Sequence, residues 1–271
     1  MSEIINETRA IQLKCLEILN IVDSICRKHQ INYSLCGGSV VGAHLYGKCL
    51  PWDDDIDLMM TRDNYEKFIL VAQEELPNHY VMQNYAIGDE FYSTFTKIVD
   101  ENTTVVQNDG AVNGIFLDIT VYDKIPKKRE KQIFFEWKVL QVKLNGKRKI
   151  RRIKDIIENI IVFLARKDRR KNLMSFQKRV QKLGANSNDY GYAELFGAYC
   201  NTKIYKPEIF ENYSEIDFEG AKYMIVRDYV AYLEKIYERT NFDVSEEEKV
   251  APHYRYVDFT KSYREYDEDL K

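Results

Sequence analysis

The sequence predicts an α/β protein in which a mixed sheet is flanked by helices and a basic helical subdomain is inserted. Three observations lead there. From Ile31 to Glu75 the pattern runs strand, glycine turn, short helix, strand, helix. Further strand-like runs follow, ending in a strongly apolar one at Gly114–Val121. From Lys127 to Lys182 there are 20 Lys or Arg against 5 Asp or Glu, with apolar residues at helical spacing.

The 271 residues, 45% hydrophobic and 31% charged, suit a soluble chain with one core and an appended module. The expected division is 1–126 for the α/β core that carries the chemistry, 127–189 for the basic helical insertion, and 190–271 for a Tyr-rich, mainly helical segment packing on the core. The opening MSEIINETRA lacks the basic, apolar and small-residue progression of a secretory leader. No apolar run nears the ~18 residues that span a bilayer, so a cytoplasmic location is expected. Cys15, Cys26, Cys36, Cys49 and Cys200 are odd in number without C-x-x-C spacing, which fits reduced thiols and no zinc site.

In chain order, Ile4, Ile11, Cys15, Ile18, Val22 and Ile25 predict an amphipathic helix over Ile4–His29 that covers the sheet. Ile31–Leu35 reads as a strand, and Gly37-Gly38-Ser39 as a turn feeding a helix over Val40–Tyr46. Free N–H groups at such a helix start attract phosphate, two glycines let it approach, and Ser39 is expected to cap the helix and donate its hydroxyl. Next come four carboxylates in five residues, Asp53, Asp54, Asp55 and Asp57. Ile56, Leu58 and Met60 alternate with Asp55 and Asp57, which puts the two carboxylates on one face of a strand. Unpaired they would repel, so a divalent cation with oxygen ligands, magnesium by preference, is expected between them. A calcium loop is excluded because Leu58 and Asn64 stand where it needs Gly and Glu. A merely solvated acidic turn fits poorly with the flanking Ile, Leu and Met.

Thr61–Asn64 reads as a turn and cap, opening a helix from Tyr65 to Glu75 that Pro77 closes. Tyr80–Tyr85, Phe91–Val99 and Thr103–Gln107 read as strands extending the sheet. Within Gly114–Val121, the lone Asp118 needs a partner. It is expected beside Asp55 and Asp57 as a third metal ligand able to take the proton of an incoming hydroxyl, the alternative being a salt-bridged structural residue.

The basic stretch carries a net +15 and leaves −18 on the rest of the chain, which points to a polyanionic partner. Ile133–Leu144 and Ile150–Leu164 are expected as helices broken at Asn145-Gly146. They could lie on anionic lipid, bind a phosphate-rich glycan, or form a solvated basic face. Nucleic acid is not expected, since no binding motif accompanies the charge. Beyond the loop at Asn186–Asp189 stand 13 of the 20 tyrosines, of which Tyr229, Tyr232 and Tyr237 share helical spacing with Leu233 and Ile236.

Gly37-Gly38-Ser39, Gly42-Ala43 and Leu50-Pro51-Trp52-Asp53-Asp54-Asp55-Ile56-Asp57 together resemble the LicD family, phosphotransferases with a nucleotidyltransferase-like fold that decorate cell-surface glycans. Gly114-Ile115-Phe116-Leu117-Asp118 and Phe95-Thr96-Lys97-Ile98 are similar to it as well. The chain departs from the pattern at Leu45-Tyr46, where the family often has Arg-His and where Lys48 could restore some charge. It departs again at Tyr237-Glu238-Arg239, in place of Tyr-Gly-Asp. Pro252-His253 resembles the closing segment loosely; His253 could reach the site, although a lone histidine in a polar tail is usually just exposed.

The resemblance implies transfer of phosphocholine or a polyol phosphate from a CDP-linked alcohol donor to a hydroxyl of teichoic acid, capsule or lipopolysaccharide, with release of CMP. Asp55, Asp57 and Asp118 would hold Mg2+ (or Mn2+), and Gly37, Gly38, Ser39, Lys48, Trp52 and Lys97 would contact substrate and phosphate. A lipid-linked glycan acceptor would bring 127–182 to an anionic membrane at its inner face. The rivals are nucleotidyl transfer with release of pyrophosphate, and a non-catalytic protein that binds glycan or a membrane surface.

Overall fold

The structure, a computed structural model, describes residues 2–86, 94–144, 169–196, 203–249 and 252–267. Helix α1 (Ser2–Lys28) presents the predicted stripe: Ile11, Cys15, Ile18, Val22 and Ile25 are all buried against the sheet. The central sheet takes the order β1 (Ser34–Leu35), β2 (Asp57–Thr61), β7 (Phe116–Pro126), β4 (Thr96–Asp100), β3 (Tyr80–Gln83). Strand β8 (Tyr190–Ala193) pairs with the far half of β7. Among the described strands of this sheet only β2 and β7 run parallel, and the other pairs are antiparallel, so the expected mixed sheet is present. Helix α2 (Gly37–Tyr46) joins β1 to β2, and α3 (Arg62–Glu75) follows β2 directly.

The third predicted strand, now β5 (Thr104–Gln107), does not extend this sheet. It pairs with β6 (Val112–Asn113) and with β11 (Tyr254–Asp258), so the end of the chain returns to the core as a strand. Nor is the C-terminal segment mainly helical. Glu219 and Gly220 both take left-handed backbone angles (φ 53° and 83°) and close a hairpin of β9 (Tyr213–Phe218) and β10 (Ala221–Val226). The one α-helix described there is α6 (Tyr229–Tyr237), whose Tyr232 and Leu233 are buried as their spacing predicts.

Helices α4 (Glu130–Leu144) and α5 (Arg169–Ala185) pack on the distal half of β7 and enclose a second apolar cluster around Trp137, Phe176 and Phe196. The predicted helix Ile150–Leu164, the start of the predicted strand Phe91–Val99 and Cys200 fall outside the described residues. No described helix is long and apolar enough to cross a membrane.

Candidate active site

Parallel pairing of β2 with β7 sets Asp57 directly opposite Asp118, and antiparallel pairing of β4 with β7 sets Lys97 opposite Asp118 on the other side. Three charged side chains thus meet across three adjacent strands. The Lys97 ammonium lies 2.8 and 3.1 Å from the two Asp118 oxygens and 3.2 Å from the centroid of the Phe116 ring. Asp118 therefore has the ion-pair partner that its burial demands, and Lys97 is no solvated strand residue. Strand β2 begins at Asp57, so Asp55 stands in the loop before it and not on the strand. The loop nevertheless brings Asp55 to the same cavity, of about 580 Å³, which Asp54, Asp57, Lys97, Asp118 and His253 also line. Phe95, Phe116, Val105 and Tyr254 supply its apolar wall.

The carboxyl groups are held under electrostatic stress. Burial, then repulsion from Asp53 and Asp118, pushes Asp55 well above the usual carboxylate range, and burial with repulsion from Asp55 and Asp118 does the same to Asp57. Burial raises Asp118 too, against the pull of Lys97. Asp53 is pushed up to about 6 by burial, opposed by a hydrogen bond with Asp55. One lysine does not balance this set. The donors are hard oxygens, which suit magnesium or manganese, although among the described residues no three acidic, histidine or cysteine side chains already form a cage.

The glycine turn plays a different part from the predicted one. Helix α2 starts at Gly37 with Cys36 as its N-cap, and Ser39 is inside the first turn. The Ser39 hydroxyl accepts from the Asp57 N–H (3.0 Å), while the Gly37 N–H donates to the Tyr232 hydroxyl (3.3 Å). A Cβ on Gly38 would lie 2.3 Å from an Asp53 oxygen, so glycine there makes room for a carboxylate of the chain itself. Gly37, Gly38 and Ser39 shape the acidic loop from behind and do not line the cavity. Neither does Lys48, which is exposed, nor Trp52, whose ring lies under the Lys249 ammonium at 4.7 Å. Of the nine sequence-predicted residues, Asp55, Asp57, Asp118 and Lys97 come together, and the remaining five stand outside.

Further residues hold the site. The Gln12 amide, buried on α1, donates to the Leu50 carbonyl (2.9 Å) and the Asp53 carbonyl (2.7 Å). Arg9 makes a two-pronged pair with Glu219 (2.9 and 2.7 Å), which also accepts from the Cys49 N–H. At the other end of the chain, His253 hydrogen-bonds Asp54 through Nδ1 (3.0 Å) and through its backbone N–H. The only sequence signal for Asp54 was its place in the acidic block.

The family model described as "LicD/FKTN/FKRP, nucleotidyltransferase domain" matches residues 30–145, which include every carboxylate of this cavity and Lys97. A relative, the lipopolysaccharide cholinephosphotransferase LicD of Haemophilus influenzae, is 31% identical over 244 residues, covering 83% of this chain and 88% of its own. The chain belongs to the LicD family. Its two departures from the LicD pattern can now be placed. Leu45 packs against the core and Tyr46 is 53% exposed, so no cation replaces the Arg-His pair at these positions. Glu238 adopts the left-handed angle (φ 56°) that glycine would take after α6, so the turn keeps its conformation without the glycine.

Proposed function

We propose that this chain is a metal-dependent phosphotransferase that moves phosphocholine, or a polyol phosphate, from a CDP-linked donor to a hydroxyl of a cell-surface polysaccharide, releasing CMP. The observation that carries the reading is the register of β2, β7 and β4, which aligns Asp57, Asp118 and Lys97 at one cavity. Kinship with a relative named as a cholinephosphotransferase supports the choice of phosphocholine. Asp55 and Asp57, with Asp118, would hold Mg2+ (or Mn2+), which when bound would supply positive charge against the donor's phosphates. Lys97 is the one lysine lining the cavity among the described residues, and it would meet the phosphate oxygens while keeping Asp118 in place. The aromatic wall of Phe95 and Phe116 would exclude water from the phosphorus under attack. The acceptor would be a glycan of the teichoic-acid, capsule or lipopolysaccharide kind. The basic helices, on the distal half of β7, would meet an anionic surface that carries it.

The test is a nucleotide-release assay with Mg2+ and CDP-choline, CDP-ribitol or CDP-glycerol, with and without crude cell-wall or capsule acceptor. Acceptor-dependent release of CMP from one donor is the expected result. Metal-dependent release of pyrophosphate from CTP, without CMP from any of the three donors, would overturn the reading in favour of nucleotidyl transfer.

A further inference from the structure

We propose that His253 is the base that accepts the proton of the incoming hydroxyl, a role that rests on the phosphotransferase reading above. The cavity offers two kinds of candidate. Asp118 has both oxygens engaged by the Lys97 ammonium, at 2.8 and 3.1 Å, so its lone pairs already face a cation. Asp55 and Asp57, on the reading above, would be taken up in holding the metal ion. That leaves Asp109, whose carboxylate accepts from the Ala111 N–H of its own loop (2.9 Å), and the imidazole, which alone has a carboxylate behind it.

The placement of His253 is fixed on three sides. Its backbone N–H points at the Asp54 carboxylate (3.2 Å), its carbonyl accepts from the Asn108 N–H (2.8 Å), and its Nδ1 lies 3.0 Å from an Asp54 oxygen. A carboxylate can only accept, so Nδ1 carries the hydrogen and the lone pair of the neutral ring is on Nε2. Among the described residues Nε2 has no hydrogen-bond partner, and the side chain is 55% exposed where it lines the cavity. A carboxylate that fixes the tautomer of an imidazole, whose other nitrogen faces the reaction space, is the arrangement a general base requires. Asp54 is then a positioning residue that acts through His253. Asp54, hydrogen-bonded to Nδ1, stabilises the imidazolium as it forms.

In the step, the hydroxyl oxygen of the glycan bonds to the phosphorus of the phosphoalcohol as its proton passes to Nε2. The bond from that phosphorus to the bridging oxygen breaks, and its electron pair leaves on the phosphate of CMP. The proton returns to water when the products depart.

The experiment compares wild type, His253→Gln and His253→Ala in acceptor-dependent CMP release, alongside donor affinity measured by calorimetry with Mg2+. The base contributes by proton transfer alone, so both variants should lose about 10²- to 10⁴-fold in turnover, with donor Kd unchanged. Added imidazole should restore turnover to His253→Ala and leave wild type unaffected. Turnover within about threefold of wild type would overturn the assignment, being far below what a general base contributes. A loss matched by loss of donor affinity, or one that imidazole does not relieve in His253→Ala, would also overturn it. A wild type that releases no CMP from any donor removes the phosphotransferase reading itself, a failure seen before either variant is assayed.

Discussion

At the scale of single residues, Asp57 carries the most informative conflict. It is 6% exposed, and both burial and its acidic neighbours oppose its charge. A carboxyl raised in the folded state binds protons that the unfolded chain has released, so its penalty is absent below the ordinary Asp value near 4 and grows as pH rises. Asp57→Asn removes the charge at nearly constant shape. Without divalent ion, the variant should therefore melt above wild type, by roughly 2–4 °C for each kcal/mol of repulsion relieved. The gap should be wider at pH 7.5 than at pH 5, as thermal melts at the two values will show. The same variant should lose at least about 100-fold in CMP release, the order seen when one preorganised charge contact is removed from a site. A variant that turns over normally would remove Asp57 from the site. That Asp55 and Asp57 belong to one site was legible, but not as one strand face, since Asp57 opens the strand and Asp55 reaches the cavity from the loop before it. The other partners were less so: Lys97 meets Asp118 through a strand register that no local pattern encodes, and His253 meets Asp54 from 199 residues away.

At the scale of elements, the acidic loop is held by α1 more than by its own turn. Gln12 ties together the carbonyls of Leu50 and Asp53, the two ends of the Pro51–Trp52 corner. Gln12→Leu keeps the bulk and takes the side-chain donor from both carbonyls, leaving Leu50 with only the Asp53 N–H (3.1 Å), so unfolding in denaturant should show a loss of about 1–3 kcal/mol. Turnover should fall as well, since Asp54 and Asp55 follow directly in the chain. A variant with native stability and activity would show that the loop holds itself. Helix α1 was legible because its buried stripe repeats over many turns. Helix α2 was read three residues short, because two glycines look like a turn. Here Gly37 opens the helix and Gly38 gives way to Asp53. The C-terminal segment misled for a related reason. Tyrosine serves helix and strand alike, and the hairpin at Glu219-Gly220 depends on a left-handed glutamate that no propensity favours.

At the scale of the whole molecule, two apolar clusters meet along β7, one beneath the acidic site and one beneath the basic helices. Asp118 lies near the start of that strand and Pro126 at its end, so about 26 Å of extended chain separates the carboxylates from the segment that leads into α4. Between them Asp123 takes both prongs of Arg62 from α3, at 2.8 and 2.9 Å, with side-chain exposures of only 1% and 10%. Such a pair contributes little net stability, yet it is costly to break on one side, because the guanidinium would stay buried without its counter-charge. Asp123→Ala should lower unfolding stability by roughly 3–5 kcal/mol. The double change Arg62→Met with Asp123→Leu should recover most of that, since neither charge then remains to be desolvated. Activity per folded molecule should survive in the double variant, as Asp123 lies five residues, about 17 Å, beyond Asp118 along the strand. Equal losses in the single and double variants would mean that the pair itself, and not an orphaned arginine, holds α3 to the sheet.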